Sequence, residues 1–257
     1  LGLSLDAPGF YDAPAFAAAE QADPNFLENY AKFVAGRAYS PEYLERAENV
    51  IRRVGGIFHR ELVRDGRLGA CIDLSMVLSR VLDRLGVWNY VVKGALTTVY
   101  PPESGKPNGY YWPFDHSPAQ AGHAWIFAPP FSVIDITLGQ QPYAASDREY
   151  YPDVVYAKGF SNVEVGIDDL CSLSIQLEMA DRGEPIWNEG FFESRPDLAR
   201  FLREFKPTVV EHRGAEHRFL PVGVSASEWP LEEITALQLS GKSGYEVFEQ
   251  EIKPLFL

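Results

Sequence analysis

One stretch, residues 71–87, constrains this 257-residue chain more than any other. Leu74, Leu78, Val81, Leu82 and Leu85 recur at three- and four-residue steps, while Asp73, Arg80, Asp83 and Arg84 fall largely elsewhere. That period marks one face of an α-helix. Gly86 follows at the position where helices commonly stop. Val87 to Tyr100 then becomes rich in Val, Tyr, Thr and Leu, the composition of a strand. A helix with a single apolar face buries that face on a neighbouring layer. The fold class expected is α+β: a Cys-bearing helix packed on an antiparallel sheet, with additional helices at both ends.

Other local signals extend this frame. Residues 1–22 read as an irregular lead-in with one short helix. Asp23-Pro24 looks like a helix start, with Asp as N-cap and Pro in the first turn, running to about Gly36. Ser40-Pro41-Glu42 repeats the signal and opens a helix over 41–54, ended near Gly55-Gly56, with a short helix over 57–63. Residues 101–121 read as a long loop carrying Tyr110, Tyr111, Trp112 and His116. Residues 123–128 and 132–136 read as two strands of a hairpin turning at Pro129-Pro130. Further on, residues 162–167, 171–177 and 218–224 have strand composition. Residues 196–205 (with Ser194 as a cap), 230–237 and 244–252 look helical. No repeat or linker interrupts residues 1–257, so a single domain is expected.

Composition excludes several classes. The net charge is −13, and the densest basic stretch, Arg52 to Arg67, also contains Glu61 and Asp65. Nucleic acid and anionic membrane surfaces are recognised by clustered cations, so neither is an expected partner. No apolar run reaches transmembrane length, so no membrane insertion is expected. The start of the chain has neither the basic segment nor the apolar core of a signal peptide, which favours the cytoplasm. The chain does not begin with Met, so a segment removed ahead of it stays open. Cys71 and Cys171 are 100 residues apart and fit no zinc spacing. Two free thiols are expected, with no metal and no cofactor. His116 and His123 with Asp115 have no recognised ligand spacing either. Cys171 reads as core, Asp168-Asp169 as a solvated turn, and His212 and His217 as surface.

Three residues form a chemical set. Cys71 opens the amphipathic helix, where free amides and the helix dipole favour a thiolate. Taken alone, it reads more readily as a small buried hydrophobe. His123 follows 52 residues later at a strand start, and imidazole is the base suited to a thiol near neutral pH. Asp135 lies among Val133, Ile134 and Ile136, where a carboxylate needs a partner. His123 and Asp135 are equidistant from Pro129, so a tight turn would set them opposite each other. Carboxylate, imidazole and thiol would then form a triad, with Asp135 fixing the ring tautomer.

The same segments resemble the transglutaminase-like superfamily, a papain-related fold. Gly69-Ala70-Cys71-Ile72-Asp73 and the helix through Leu85-Gly86-Val87 are similar to its nucleophile segment. His123-Ala124-Trp125 is similar to its His-Ala-Trp strand, and Asp135-Ile136-Thr137 to its Asp-x-Thr strand. Asn89 and Tyr90 stand where the family usually has Arg. The resemblance covers roughly residues 41–140, the catalytic core it implies, and leaves 141–257 as a family-specific extension. It implies a cysteine-dependent hydrolase or acyltransferase acting on amide bonds of a protein or peptide through a thioester. Peptidase or amidase activity ranks ahead of transglutaminase or deamidase activity, and arylamine acetyltransferase ranks lower. The rival is a non-catalytic binding or scaffold protein that keeps the fold. Cys71, His123 and Asp135 are the expected catalytic residues. Tyr110, Tyr111, Trp112 and Trp125 are expected to bind substrate. The second oxyanion donor is left unassigned.

Overall fold

The structure, a computed structural model, describes residues 5–116 and 122–256. The first four residues used in the signal-peptide reading, and residues 117–121 of the long loop, lie outside the described residues.

The chain begins with helices α1 (Pro14–Ala22), α2 (Leu27–Gly36), α3 (Pro41–Asp65) and α4 (Cys71–Arg84). Strands β1 (Tyr90–Val99), β2 (Gly109–Tyr111), β3 (His123–Ala128), β4 (Phe131–Asp135) and β5 (Val155–Ala157) follow. Then come α5 (Ile167–Leu170), α6 (Leu173–Asp181), α7 (Asn188–Glu193) and α8 (Pro196–Glu204). Strands β6 (Thr208–His212) and β7 (Ala215–Ser225) complete the main sheet. A small ribbon, β8 (Gln238–Leu239) and β9 (Lys242–Ser243), leads into α9 (Gly244–Val247), a π-turn over Phe248–Ile252 and α10 (Lys253–Phe256). None of the described helices is long and apolar enough to cross a membrane.

The main sheet runs β5-β4-β3-β1-β7-β6, and each of these neighbouring pairs is antiparallel. β2 also pairs with β1, through Leu96↔Tyr111, while β3 pairs with it through Gly94↔His123. β2 and β3 therefore lie end to end along one side of β1. This is an α+β fold with the Cys-bearing helix on an antiparallel sheet.

Alternation along the strands feeds two cores. Ala124, Ile126 and Ile134 meet Val54 and Phe58 of α3 and Leu74, Leu78 and Leu82 of α4. On the other face, Trp125, Phe127, Val133 and Phe219 meet Tyr30 and Val34 of α2 and Phe201 of α8. A third cluster sets Leu170, Met179 and Phe191 of α5–α7 against Ala95 and Leu220. Each buried Leu, Ile or Phe contributes about 1.5–3 kcal/mol by leaving water. Many long-range contacts of this size hold α4 in place.

Several local readings are corrected. Residues 41–65 form one helix, capped by the Ser40 hydroxyl and unbroken at Gly55-Gly56. Gly55 is there because a Cβ would sit 2.3 Å from the Tyr156 hydroxyl. Asp23 caps only a turn, accepting from the Asn25 amide, and α2 begins later, at Leu27. The long loop contains β2, which gains its partner from β1 rather than from its own sequence. Residues 162–166 are not strand, and residues 173–181 are helix. Residues 230–237 hold only a short 3-10 turn at Leu231–Glu233. The cap of α8 is Arg195, with no side-chain hydrogen bond, rather than Ser194.

Candidate active site

Cys71 is the first residue of α4. A helix leaves its first amides without intrahelical acceptors. Here the Leu74 amide is bonded to Ala70 O at 2.9 Å, so the amides of Cys71, Ile72 and Asp73 precede the ladder. The loop before α4 is tied to the far side of the site: the Gly69 amide donates to Gln140 O at 3.0 Å. That link brings the helix start to the turn that follows β4.

His123 begins β3 and is buried, as is Asp135 at the end of β4. Gly122, at φ 72°, delivers the chain into β3; a Cβ there would lie 2.7 Å from Gly94 O. His123 Nε2 and Asp135 Oδ2 are 2.7 Å apart. A carboxylate can only accept, so the ring N–H donates. Nδ1 is then left without a hydrogen-bond partner of ordinary geometry among the described residues. It is the nitrogen available to the thiol. Burial lowers the imidazole pKa, but the Asp135 carboxylate, the Cys71 sulfur and hydrogen bonding to both push it up, and the net direction is up. Cys71 is thus close enough to act on the ring's charge.

The expected pairing of His123 and Asp135 is corrected in its register. Ile126 pairs with Ile134, but Ala128 pairs with Phe131. Two residues of β4, Ser132 and Val133, therefore oppose the single Phe127, which is a β-bulge. Continuing the pairing from Ile126 sets Asp135 level with Trp125, so His123 and Asp135 meet diagonally. Without the bulge, Asp135 would stand level with Ala124, on the other face of the sheet. The bulge puts the carboxylate on the histidine's side.

Asp135 is held in turn. Its Oδ1 accepts from the Thr137 amide at 2.8 Å and the Thr137 hydroxyl at 2.7 Å. Gln141 Nε2 donates to Thr137 O at 3.1 Å and reaches its hydroxyl at 3.3 Å. Gln141 was not a sequence candidate, because it follows the strand in an irregular turn and belongs to no motif. His59 was also missed; its Nδ1 lies 2.9 Å from Ile136 O, so α3 braces the same strand end. The signal was available, since His59 stands next to Phe58 at the edge of the apolar face of α3.

The expected substrate-binding aromatics separate into three groups. Tyr111 is half-buried, with its ring 5.8 Å from that of His123. Tyr110 stacks on Trp112 at 5.0 Å, and Trp112 Nε1 donates to Asp168 O at 2.7 Å, so this pair faces α5. Trp125 is 1% exposed and packs edge-on against Phe219. It is core, not substrate surface, because every second residue of β3 points into one of the two buried layers.

Other readings divide similarly. Cys171 is buried as expected, and burial pushes its thiol up to about 11. Both cysteines are free thiols. His116 Nε2 pairs with Glu178 at 2.7 Å, and no metal-binding cluster occurs among the described residues. Asp169 is not solvated: it is buried, accepts from the Thr97 hydroxyl and bonds the Gly166 amide. His217 is not at the surface either. It is fully buried between the Thr98 hydroxyl and Tyr150 O. Asn89 bonds Ser79 and Asp83 beneath α4.

Cys71 is only 6% exposed, so Sγ lies under cover. A surface cleft of about 630 Å³ lies elsewhere, between α4 and residues 225–236, lined by Asp73, Met76, Trp229 and Glu233 among others. Comparison with family models, with curated proteins and with solved structures gives no match.

Proposed function

We propose that this protein is a cysteine-dependent hydrolase or acyltransferase of the transglutaminase-like kind, acting on amide bonds of a protein or peptide. The observation that carries the reading is the buried His123–Asp135 hydrogen bond of 2.7 Å, which leaves one ring nitrogen for Cys71 at a helix N-terminus. In this reading His123 Nδ1 takes the thiol proton. The sulfur forms a bond to the carbonyl carbon, and the carbonyl pair moves to oxygen. Collapse of that adduct expels the amine, protonated by the imidazolium, and leaves a thioester on Cys71. Water then gives the acid, and a second amine would give a new amide. Peptidase or amidase activity ranks first, because it needs only water as the second reactant. No cofactor enters either route.

One observation favours the rival, a binding or scaffold protein on the same fold: the thiol is nearly covered, while the open cleft lies behind α4. Alkylation separates the two. In a Cys171→Ser background, iodoacetamide is expected to label Cys71 at a rate that stays high well below about pH 8.5, where an ordinary thiol loses its thiolate. His123→Ala is expected to lower that rate at least tenfold at pH 6. A rate that tracks an ordinary thiol in both proteins, or a Cys71 that never reacts while folded, would put the binding protein first.

A further inference from the structure

A thiolate adding to a carbonyl creates a negative oxygen that needs two donors. The Cys71 amide, ahead of the hydrogen-bond ladder of α4, supplies one. The polar side chains around the triad narrow the search for the other. Trp112 Nε1 is committed to Asp168 O. The Thr137 hydroxyl donates to Asp135, and Gln141 Nε2 holds Thr137. Trp125 is sealed in the core. Tyr111 remains.

Three features place it. Tyr111 and His123 pair with Leu96 and Gly94, two residues apart on β1, so alternation puts both side chains on one face. Their rings are 5.8 Å apart. Burial pushes the Tyr111 phenol up, and the charges of Cys71 and Asp135 act on it in the same direction, so it stays protonated and can donate. The Tyr143 ring packs edge-on against it at 6.1 Å.

We propose that the Tyr111 hydroxyl is the second oxyanion donor, a catalytic residue brought to the site by β2. The proposal rests on the reading of Cys71 as an acyl-accepting nucleophile. It requires no proton transfer from Tyr111: the phenol donates a hydrogen bond while the adduct forms, and releases it when the carbonyl pair returns and the leaving group departs.

Two reagents separate this role from any effect on the thiol. Iodoacetamide alkylates sulfur by displacing iodide, with no oxyanion. p-Nitrophenyl acetate acylates it through a tetrahedral oxyanion, releasing p-nitrophenolate and leaving acetyl on sulfur, which mass spectrometry locates at Cys71. Tyr111→Phe, in the Cys171→Ser background, keeps the ring and removes the donor. Its acylation is expected to slow by about 10²-fold, the effect of losing one such donor, with alkylation within twofold of the parent. Tyr143→Phe is expected to change neither rate by more than about threefold. Equal loss of both rates in Tyr111→Phe would make the residue a support for the Cys–His pair and overturn the proposal, as would no loss of either. A parent protein alkylated as an ordinary thiol and never acylated would overturn the nucleophile itself, and the donor with it. Thermal unfolding of Tyr111→Phe at the parent's temperature excludes misfolding as the cause, and Tyr111→Trp, a ring with a misplaced donor, is expected to stay as slow as the Phe variant.

Discussion

Both oxygens of Asp135 are engaged inside the protein, one by His123 and one by Thr137. The charge of this carboxylate, more than its shape, holds a proton on the imidazole against the opposing effect of burial. Asp135→Asn keeps the shape and removes the charge. Burial then dominates, so the imidazole pKa falls and the imidazolium disappears at a lower pH. Under the proposed function, a Cys71 thiolate would lose its counter-ion over that range. Alkylation of Cys71 in Asp135→Asn is expected to fall at least tenfold at pH 6 and to approach the parent rate above about pH 9, where an ordinary thiol is largely ionised. An unchanged pH profile would mean that Asp135 only positions the ring. At this scale the sequence was informative: residue types and order pointed to Cys71, His123 and Asp135, and the structure joins His123 to Asp135. It was silent on Gln141, whose role comes from contact with Thr137 and not from any pattern.

At the scale of elements, α3 shows where local rules fail. Two adjacent glycines lower helix propensity by about 1 kcal/mol each and read as a stop. The helix continues because its apolar face, Val50, Ile51, Val54 and Phe58, is buried across the interruption. The two glycines are not equivalent. A Cβ at Gly55 meets Tyr156 and Ile136, whereas a Cβ at Gly56 meets nothing within 4 Å. Gly56→Ala is expected to stabilise the protein by about 0.5–1 kcal/mol, and Gly55→Ala to destabilise it by about 1–3 kcal/mol. Urea denaturation reads both. A gain in both variants would mean that Tyr156 moves aside freely. The β3–β4 hairpin fails in another way. Counting from Pro129 placed the two polar residues opposite each other, but the extra residue in β4 makes them diagonal neighbours.

At the scale of the whole molecule, a buried polar network joins the N-terminal segment to α4. Tyr11 donates to Asp83 at 2.7 Å, and Asn89 donates to its other oxygen at 2.9 Å. Arg80 reaches Asp12 and Ser227 O, so it ties the lead-in, α4 and the 225–236 segment together. Burial is the largest cause raising Asp83, from 3.8 to about 7, with Asp12 adding to it and Tyr11, Arg80 and Asn89 opposing. A raised carboxyl binds its proton more tightly in the folded state. Its contribution to stability is therefore full below pH 3.8 and is lost as pH rises through about 7. The whole span is on the order of 4 kcal/mol. Asp83→Asn, which cannot titrate, is expected to flatten this fall in stability between pH 5 and pH 8 relative to the parent. Denaturant midpoints at the two pH values measure it, and parallel curves for both proteins would show that Asp83 is ionised throughout.

The sequence by itself determined what repeats over a few residues. The apolar stripe of α4, its stop at Gly86, the β-rich run after it, and the placement of Cys71 and His123 at element starts are all local. They follow from the 3.6-residue and two-residue periods. Tertiary structure decided the rest, because it depends on what one element finds in another. The bulge at Ser132-Val133 turned Asp135 toward His123. β1 gave β2 a partner and so delivered Tyr111 to the same site. Packing between layers removed Trp125 and His217 from the surface. Burial and strand register are set by long-range contacts, and no window of neighbouring residues contains them.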